Sequence, residues 1–356
     1  MAEILHIDDL KASAHNSVDT LNLKDGYTMF LRFTKDQRSL FKDDLLFNVM
    51  SLCSSGVYLA LCTRGTKLSF RCKPMSVLKT FTKANKSDFK NLKNDLMKQY
   101  QERSIMPSSY YFTLQINGEK CLYKKCKKGK ITFYFSNKEH KKVVLCLFFP
   151  VFSYAAVKNF RSNHSISIAP INKKQIFCLG DSITQGFSAI NYTDTYVAKL
   201  AQRMEVDALN QGVGGYWFDY HTLVDLEKFG SPKIITVAYG TNDWQISDSL
   251  AIIKKNCSEY FKVLNEKFPN TPIFVITPIW RADIEQITKA GKFCDVSNLL
   301  EEIINSYPNL HLIRGIDIPI KSRRYFGDNY LHPNKEGFTI MAAYICQSIR
   351  TVLEVN

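Results

Sequence analysis

The sequence lacks the long apolar runs of a membrane-spanning protein. A transmembrane helix needs about 20 predominantly apolar residues. The longest apolar run, Val143 to Val151, is far shorter and contains a proline. The N-terminal residues also lack the basic segment and the apolar segment that together form a secretory signal peptide. We therefore expect a cytoplasmic protein without a membrane span.

The ten cysteines form none of the patterns that bind metal. No two of them are spaced as C-x-x-C, and none lies near a histidine at the spacing of a zinc site. Cys62, Cys146 and Cys178 fall inside strand-like apolar runs, where a thiol behaves as a small hydrophobic group. We expect free thiols, no metal and no organic cofactor.

Acidic residues are scarce in the first half of the chain. Residues 1–170 hold 28 Lys and Arg against 13 Asp and Glu, whereas residues 171–356 hold 19 against 20. The net charge of +14 therefore arises from the first half. Such a surface attracts an acidic partner or simply keeps the protein soluble. No nucleic-acid-binding motif accompanies the lysines, so we expect no nucleic-acid partner.

Short strand-like segments dominate this first half. Asn117-Gly118 is a strong two-residue turn between two of them. The strands are expected at 27–33, 57–62, 67–72, 110–116, 120–123, 130–135 and 142–148. Many short strands joined by turns predict a β-sandwich, of jelly-roll type, over residues 1–165. A helical insertion is expected near 76–104, where Phe89, Leu92, Leu96 and Tyr100 share one helical face.

In the second half, the predicted strands alternate with predicted helices. Strands are expected at 175–179, 233–239, 272–277 and 310–314, and helices at 193–204, 249–268, 295–307 and 335–353. This alternation predicts an α/β domain over residues 171–356, with a parallel sheet covered by helices on both faces. The polar stretch 163–172 marks the domain boundary.

Polar or glycine-rich segments follow three of these elements, where open parallel sheets bind ligands. Gly180–Gly186 places Asp181 and Ser182 directly after a strand, and Ser182 is either a helix cap or a reactive hydroxyl. Asn210–Gly215 is rich in glycine, but it is not a dinucleotide fingerprint because position 217 is a tryptophan. Gly240–Asp243 follows the next predicted strand.

A fourth segment, Asp328–Asn334, precedes the final helix and contains His332. This is the only one of seven histidines in such a position. Together, and in this order, the four segments resemble the four conserved blocks of the SGNH (GDSL-type) hydrolases. The resemblance covers about residues 171–353. The first half is similar, at Ser55–Val57 and Val144–Pro150, to the β-sandwich that precedes this domain in some esterases and acyltransferases of the family.

The resemblance implies a flavodoxin-like SGNH hydrolase domain and a role for each matched residue. Ser182 corresponds to the nucleophile and His332 to its general base. The oxyanion hole corresponds to the N–H groups of Ser182 and Gly215 and to the side-chain amide of Asn242. All of these blocks lie after residue 171, so the basic first half is expected to shape the cleft or bind a partner and not to be required for the chemistry.

One position departs from the family pattern. The family usually has an aspartate three residues before the histidine, where this chain has Asn329. Asp328 lies one residue further back and reaches the imidazole if the loop bulges by one residue. A backbone carbonyl holding His332 in a dyad is the alternative, since a neutral Asn stabilises imidazolium poorly. We expect Asp328 to complete the triad.

The function implied is that of a carboxylic-ester hydrolase working through an acyl-serine intermediate. Relatives with this two-domain layout suggest an acetylated carbohydrate or another small ester as substrate, with a short acyl group because no apolar lid is evident. The side chains predicted to contact substrate are Asp181, Tyr216, Trp217 and Trp244. Two alternatives remain: an acyltransferase using the same site, and a basic β-sandwich binding module with a weak hydrolase half.

Overall fold

Two antiparallel sheets form the first part of the chain. The computed structural model describes residue 5 and residues 7–76 and 111–355, so nearly all of the helical insertion expected near 76–104 lies outside the described residues. The helices of this part are α1 (Ile7–Ala12), α2 (Lys35–Leu40) and α3 (Leu45–Leu52). Its strands are β1 (Ala14–His15), β2 (Asp19–Asn22), β3 (Thr28–Leu31), β4 (Tyr58–Thr63), β5 (Lys67–Ser76), β6 (Tyr111–Ile116), β7 (Lys120–Lys125), β8 (Gly129–Tyr134), β9 (Val143–Phe148), β10 (Ser153–Ser162) and β11 (Ile166–Ile168).

The two sheets face each other across an apolar layer. One sheet has the strand order β1-β4-β9-β6-β7, with β11 also paired to β4, and the other has the order β2-β3-β10-β5-β8. Alternate residues of β9 are buried, as expected of a strand with one face on a core. Phe70 of β5 packs edge-on against Phe112 of β6, with ring centroids 5.0 Å apart. These contacts make the first part a β-sandwich that extends to Ile168.

A five-stranded parallel sheet forms the second part, and its strand order is β13-β12-β14-β15-β18. This arrangement confirms the α/β fold class. The strands are β12 (Gln175–Gly180), β13 (Asp207–Gly212), β14 (Ile234–Ala238), β15 (Ile273–Ile276) and β18 (Leu310–Ile313), with a separate small pair, β16 (Ile287–Thr288) and β17 (Gly291–Lys292). The helices are α4 (Ser182–Gln185), α5 (Tyr196–Met204), α6 (Thr241–Ile246), α7 (Leu250–Lys267), α8 (Phe293–Ile304) and α9 (Lys335–Val355).

Strand β13 is absent from the sequence-based prediction. Its sequence, Asp-Ala-Leu-Asn-Gln-Gly, has no β-branched residue and contains types that strands disfavour. It is nevertheless a parallel strand, paired with β12 from Asp207 to Gly212, and all but its first residue are buried. Tertiary packing therefore overrides local preference at the edge of this sheet.

The largest apolar core runs across both parts of the chain. Phe33, Phe41 and Met50 of the first part belong to the same buried cluster as the parallel sheet and its helices. A second cluster lies between the two sheets of the sandwich. The sandwich is therefore packed onto the α/β part through shared apolar side chains. Among the described residues, no helix is both long enough and apolar enough to span a bilayer.

Candidate active site

The turn after β12 presents Ser182 at the carboxyl end of the parallel sheet. Asp181 is the cap of the short helix α4, because its Oδ1 accepts the N–H of Ile183 at 2.8 Å. Ser182 is the first residue of that helix and not its cap, so its hydroxyl has no capping duty. The Oγ of Ser182 lies 2.8 Å from Nε2 of His332.

The other ring nitrogen of His332 faces a carboxylate. Oδ2 of Asp328 lies 2.7 Å from Nδ1 of His332, and Oδ1 accepts the backbone N–H groups of Tyr330, Leu331 and His332 at 2.8–3.1 Å. Burial raises the pKa of Asp328, but the hydrogen bonds from His332 and from the backbone outweigh it and bring the pKa to about 2. An ionised Asp328 holds the ring proton on Nδ1 and leaves Nε2 free to accept a proton from Ser182.

A left-handed residue explains how Asp328 reaches the ring from four positions back. Asn329 has φ of +55°, a conformation that Asn adopts more readily than most residues. Its N–H donates to the carbonyl of Phe326 at 3.2 Å, and its own carbonyl accepts from Arg323 at 3.0 Å. The loop therefore bulges by one residue at Asn329. The structure places Asp328, and neither Asn329 nor a backbone carbonyl, beside Nδ1 of His332.

The proposed oxyanion donors Gly215 and Asn242 lie on a turn and on helix α6, which contact each other. Gly215 has φ of +82°, in the region that favours glycine. The side-chain amide of Asn242 donates to the carbonyl of Tyr216 at 2.8 Å, which ties it to the Gly215 turn. Val213 N–H donates to the carbonyl of Gly180 at 2.9 Å, so this turn also lies against the one that carries Ser182. Within the described part of the chain, the N–H groups of Ser182 and Gly215 donate to no partner.

Two of the side chains predicted to contact substrate are buried. Trp244 is fully buried, packs edge-on against Phe293 with centroids 5.0 Å apart, and donates from Nε1 to the carbonyl of Gly291 at 3.0 Å. Asp181 is 2% exposed and serves as the α4 cap. The Trp next to a polar block packs into the core, and the Asp next to Ser182 caps a helix, so both side chains have a structural role. Contact of either with substrate stays a prediction.

Tyr216 and Trp217 stack on each other directly after Gly215, in the turn that we call the oxyanion loop (residues 213–217), with ring centroids 4.6 Å apart. Tyr216 is buried, and its hydroxyl donates to Asp219 at 2.8 Å, so it serves mainly to support its neighbour. Trp217 is half-buried and keeps part of its ring at the surface. Its contact with substrate stays a prediction.

Two aromatic side chains that sequence reasoning missed border the site. The ring of Phe187 stacks on His332 with centroids 5.0 Å apart. A Cβ at Gly214 would come within 2.7 Å of the Phe187 ring, so the ring lies between the histidine and the oxyanion loop. Phe47 of α3 packs edge-on against Trp217 at 5.5 Å. Phe187 directly follows the Gly180–Gly186 segment, so its position near the site could have been predicted from the sequence. Nothing in the sequence links Phe47 to this site.

A buried arginine also joins the loops that carry the site. Arg281 forms a two-point ion pair with Asp283, at 2.5 and 3.0 Å, and is 2% exposed. It donates further to the Thr241 hydroxyl and to the Tyr330 hydroxyl, each at 3.0 Å. Thr241 precedes Asn242, and Tyr330 lies two residues before His332. Arg281 thus connects helix α6, which carries Asn242, with the loop that carries His332.

Solved structures share this two-part architecture. The chain is similar to a salicylyl-acyltransferase from a tetracycline biosynthetic pathway (14% identity, TM-score 0.78, covering 99% of this chain and 97% of that chain). It is also similar to a protein described as a GDSL-like lipase from Bacteroides ovatus (15%, 0.72, 99% and 98%) and to a family two carbohydrate esterase from Cellvibrio japonicus (14%, 0.64, 99% and 99%). At these identities the likeness establishes the fold. No curated protein matches the chain.

The sequence of the second part of the chain matches a known enzyme family. Residues 178–340 match the model of the GDSL-like Lipase/Acylhydrolase family, from the strand before Ser182 to the helix after His332. The chain therefore carries a GDSL-like lipase/acylhydrolase domain and is an ester-hydrolysing enzyme. This finding confirms the resemblance and the enzyme class expected from the four sequence segments.

Proposed function

We propose that the enzyme hydrolyses carboxylic esters through an acyl intermediate on Ser182. The observation that carries this proposal is the continuous series of hydrogen bonds from Asp328 to His332 to Ser182, at 2.7 and 2.8 Å. A serine hydroxyl is a weak nucleophile until an adjacent base removes its proton. Here the base is in contact with the hydroxyl, and the carboxylate that orients the base is held ionised.

The reaction proceeds in two steps that use the same groups. Oγ of Ser182 attacks the ester carbonyl carbon while its proton passes to Nε2 of His332. The oxyanion accepts hydrogen bonds from the N–H groups of Ser182 and Gly215 and from the Asn242 amide. The C–O bond to the alcohol then breaks, the alkoxide takes the proton from His332, and an acyl-serine remains. Water repeats the attack with the same base and releases the carboxylic acid.

An acylated carbohydrate is the substrate class that we propose. A carbohydrate esterase shares the whole two-part fold, and the partly exposed ring of Trp217 beside the oxyanion loop is suited to stacking on a sugar face. Phe187 packs against His332 and Phe47 packs against Trp217, and these bulky rings beside the site favour a short acyl group. We also propose a cytoplasmic location, since all ten cysteines are free thiols, as in a reducing compartment.

Acyl transfer to an alcohol or amine is the second candidate function. A salicylyl-acyltransferase has the same fold over almost the whole chain. The ring of Phe187, which stacks on His332, favours the exclusion of water from an acyl-serine, which is what a transferase requires. The two functions share the first step and differ in which nucleophile takes the acyl group. A silent hydrolase half is disfavoured, because the three side chains of the triad are in contact.

The decisive experiment compares the purified chain with a Ser182→Ala variant on nitrophenyl acetate and on acetylated xylo-oligosaccharides. We expect loss of turnover with the fold retained, because removal of a nucleophile typically costs about 10⁶-fold in kcat. Ser322→Ala, which changes an exposed serine of the loop leading to His332, is the matched control. A fluorophosphonate should label Ser182 alone. Near-normal turnover by folded Ser182→Ala contradicts the mechanism.

The same reaction separates hydrolase from transferase. With increasing concentrations of an acceptor such as glycerol or a free sugar, a hydrolase releases mostly carboxylic acid. A transferase instead yields mostly a new ester, at acceptor concentrations far below that of water. The product ratio, measured by chromatography, assigns the function without altering the protein.

A further inference from the structure

A buried arginine of the β-sandwich part contacts the strand that leads into the oxyanion loop. Arg32 follows β3, is 0% exposed and makes no ion pair with a carboxylate of the described residues. Its Nη1 donates to the carbonyls of Asn210 and Gly212, at 2.6 and 3.0 Å. Its Nε and Nη2 donate to the carbonyls of Cys53 and Met50, at 2.6 and 3.1 Å. The guanidinium thus joins β3, α3 and β13.

The position of β13 in the sheet explains why these carbonyls need a donor. β13 is an edge strand, paired only with β12. In a parallel strand, backbone groups of alternate residues point to opposite sides, so Asn210 and Gly212 present their carbonyls away from β12. A buried carbonyl without a partner is costly. Arg32 supplies N–H groups to both, in the place where a sixth strand would have done so.

The charge of Arg32 matters because no carboxylate among the described residues neutralises it. Burial lowers the pKa of Arg32 to about 10, which is still far above neutral pH. Burying an unpaired charge opposes folding unless hydrogen bonds satisfy it. Four backbone carbonyls do so here, in a forked geometry that a lysine ammonium cannot reproduce.

The end of β13 leads directly to the proposed oxyanion donor. Gly215 lies three residues beyond Gly212. Between them, Gly214 N–H donates to Oε1 of Gln185 in the nucleophile helix at 2.7 Å. Asn210 also donates from its side chain to the carbonyl of Thr184 in that helix, at 2.7 Å. A shift of β13 would therefore move the Gly215 turn relative to Ser182.

A second contact from the sandwich part reaches the nucleophile helix itself. The hydroxyl of Ser55, which is fully buried, donates to the carbonyl of Gln185 at 2.6 Å. Gln211, between the two carbonyls that Arg32 holds, donates from its side chain to the carbonyl of Arg32. Gln37 of α2 in turn donates to the Gln211 side chain at 3.0 Å. The sandwich part thus holds both the turn before Gly215 and the helix after Ser182.

We propose that Arg32 is a positioning residue for the oxyanion donor at Gly215, which makes the sandwich part a component of the catalytic machinery. This inference rests on the proposed function, in which the Gly215 N–H binds the oxyanion. It contradicts the expectation that the first half is dispensable for the chemistry. A positioning role acts on the transition state, so it lowers kcat and leaves KM nearly unchanged.

The test is a double-mutant cycle on the full chain. Arg32→Lys keeps the charge but loses the forked contacts, and Gly215→Ala strains the turn at φ of +82°. We expect Arg32→Lys to lower kcat for nitrophenyl acetate by about 10²-fold, the scale of losing one oxyanion donor. KM should change by less than about twofold, because ground-state binding is retained. In the Gly215→Ala background, Arg32→Lys should have little further effect on kcat.

Arg38→Lys is the matched control, because Arg38 lies in the same part of the chain, pairs with Asp19 at 2.8 Å and, among the described residues, makes no side-chain hydrogen bond to β13. It should retain wild-type kcat. Urea unfolding of every variant checks that the chain is folded. If Arg32→Lys does not fold, Arg32→Gln, which keeps two N–H donors without the charge, goes through the same cycle.

If the folded Arg32 variant has wild-type kcat, the inference is overturned and the proposed function stands. A loss of kcat that multiplies with that of Gly215→Ala also overturns it, because independent effects mean that Arg32 does not act through this turn. Absence of Ser182-dependent turnover in the wild type overturns the proposed function and this inference with it. The outcomes are therefore distinguishable.

Discussion

The two segments that meet at Ser182 each carry a buried aspartate, and the pKa values of these two carboxylates are shifted in opposite directions. The histidine loop holds Asp328, whose pKa is about 2 because four N–H groups donate to it against the effect of burial. The nucleophile turn holds Asp181, whose pKa burial raises to about 7. Asp181 accepts a hydrogen bond from Ile183 and is repelled by the nearby Asp243.

Burial raises the pKa of both carboxylates, so the other neighbours decide the difference: His332 and backbone N–H groups lower the pKa of Asp328, whereas Asp243 raises that of Asp181 further. The four N–H groups around Asp328 keep its carboxylate ionised. Asp328 must be ionised in order to stabilise the imidazolium form of His332. Asp181 needs only to cap a four-residue helix, for which one acceptor oxygen suffices. The lesson of the pair is that proximity to a reactive serine does not by itself make a carboxylate catalytic.

The largest effect that the comparison predicts is that of Asp328→Asn. An amide beside Nδ1 favours the wrong tautomer of His332, so we expect kcat/KM to fall by about 10⁴-fold. Asn329→Asp added to this variant restores the family spacing in the sequence. It should not restore activity, because the left-handed backbone of Asn329 bulges out of the loop. Steady-state kinetics on a nitrophenyl ester measures both. Recovery in the double variant would show that the loop register is not decisive.

A smaller effect, on stability and not on rate, is expected for Asp181→Asn. The folded pKa of about 7 lies above the reference value of 3.8. The contribution of Asp181 to stability is therefore full below about pH 4 and is lost as the pH rises through 7. The Asn variant keeps an oxygen for the cap and carries no charge. Relative to the wild type, it should gain free energy of unfolding between pH 4.5 and 8.5.

Urea unfolding at several pH values tests this prediction, with Asp328→Asn as the mirror case. The pKa of Asp328 lies below its reference value, so its contribution to stability is present above about pH 4 and lost as the pH falls through 2. The two variants should thus differ from the wild type with opposite sign at pH 8. Activity of Asp181→Asn should stay within a few-fold of wild type. A loss on the scale of Asp328→Asn would assign Asp181 a role in the chemistry.

The smallest effects are expected at Asn329. Asn329→Gly suits φ of +55° and should leave kcat and stability close to wild type. Asn329→Ala places an alanine in the left-handed region, which is strained. It should lower the free energy of unfolding by about 1 kcal/mol, with little change in kcat. Thermal or urea unfolding of this pair is the measurement. A large loss of kcat in the glycine variant would assign a chemical role to the Asn side chain.

The proposed catalytic residues could be found from the sequence because each lies in a short segment that resembles a conserved block of the SGNH hydrolases. Periodicity placed a strand before Ser182 and a helix after His332, and the resemblance implied that the two residues act together. The burial of Trp244 could not be found in this way. An aromatic residue after a polar block packs inward or outward according to its neighbours in space, and Phe293 lies 49 positions away.

The sequence by itself determined the alternation of strands and helices and the order of the four segments, whose resemblance to a hydrolase family implied the pair formed by Ser182 and His332. These properties depend on local periodicity and on chemistry that few residue types provide. Only the tertiary structure decided the edge strand β13, the choice of Asp328 over Asn329, and the contacts of Arg32. The physical reason is that these depend on backbone geometry and on groups far apart in sequence, such as Arg32 and Asn210, separated by 178 positions.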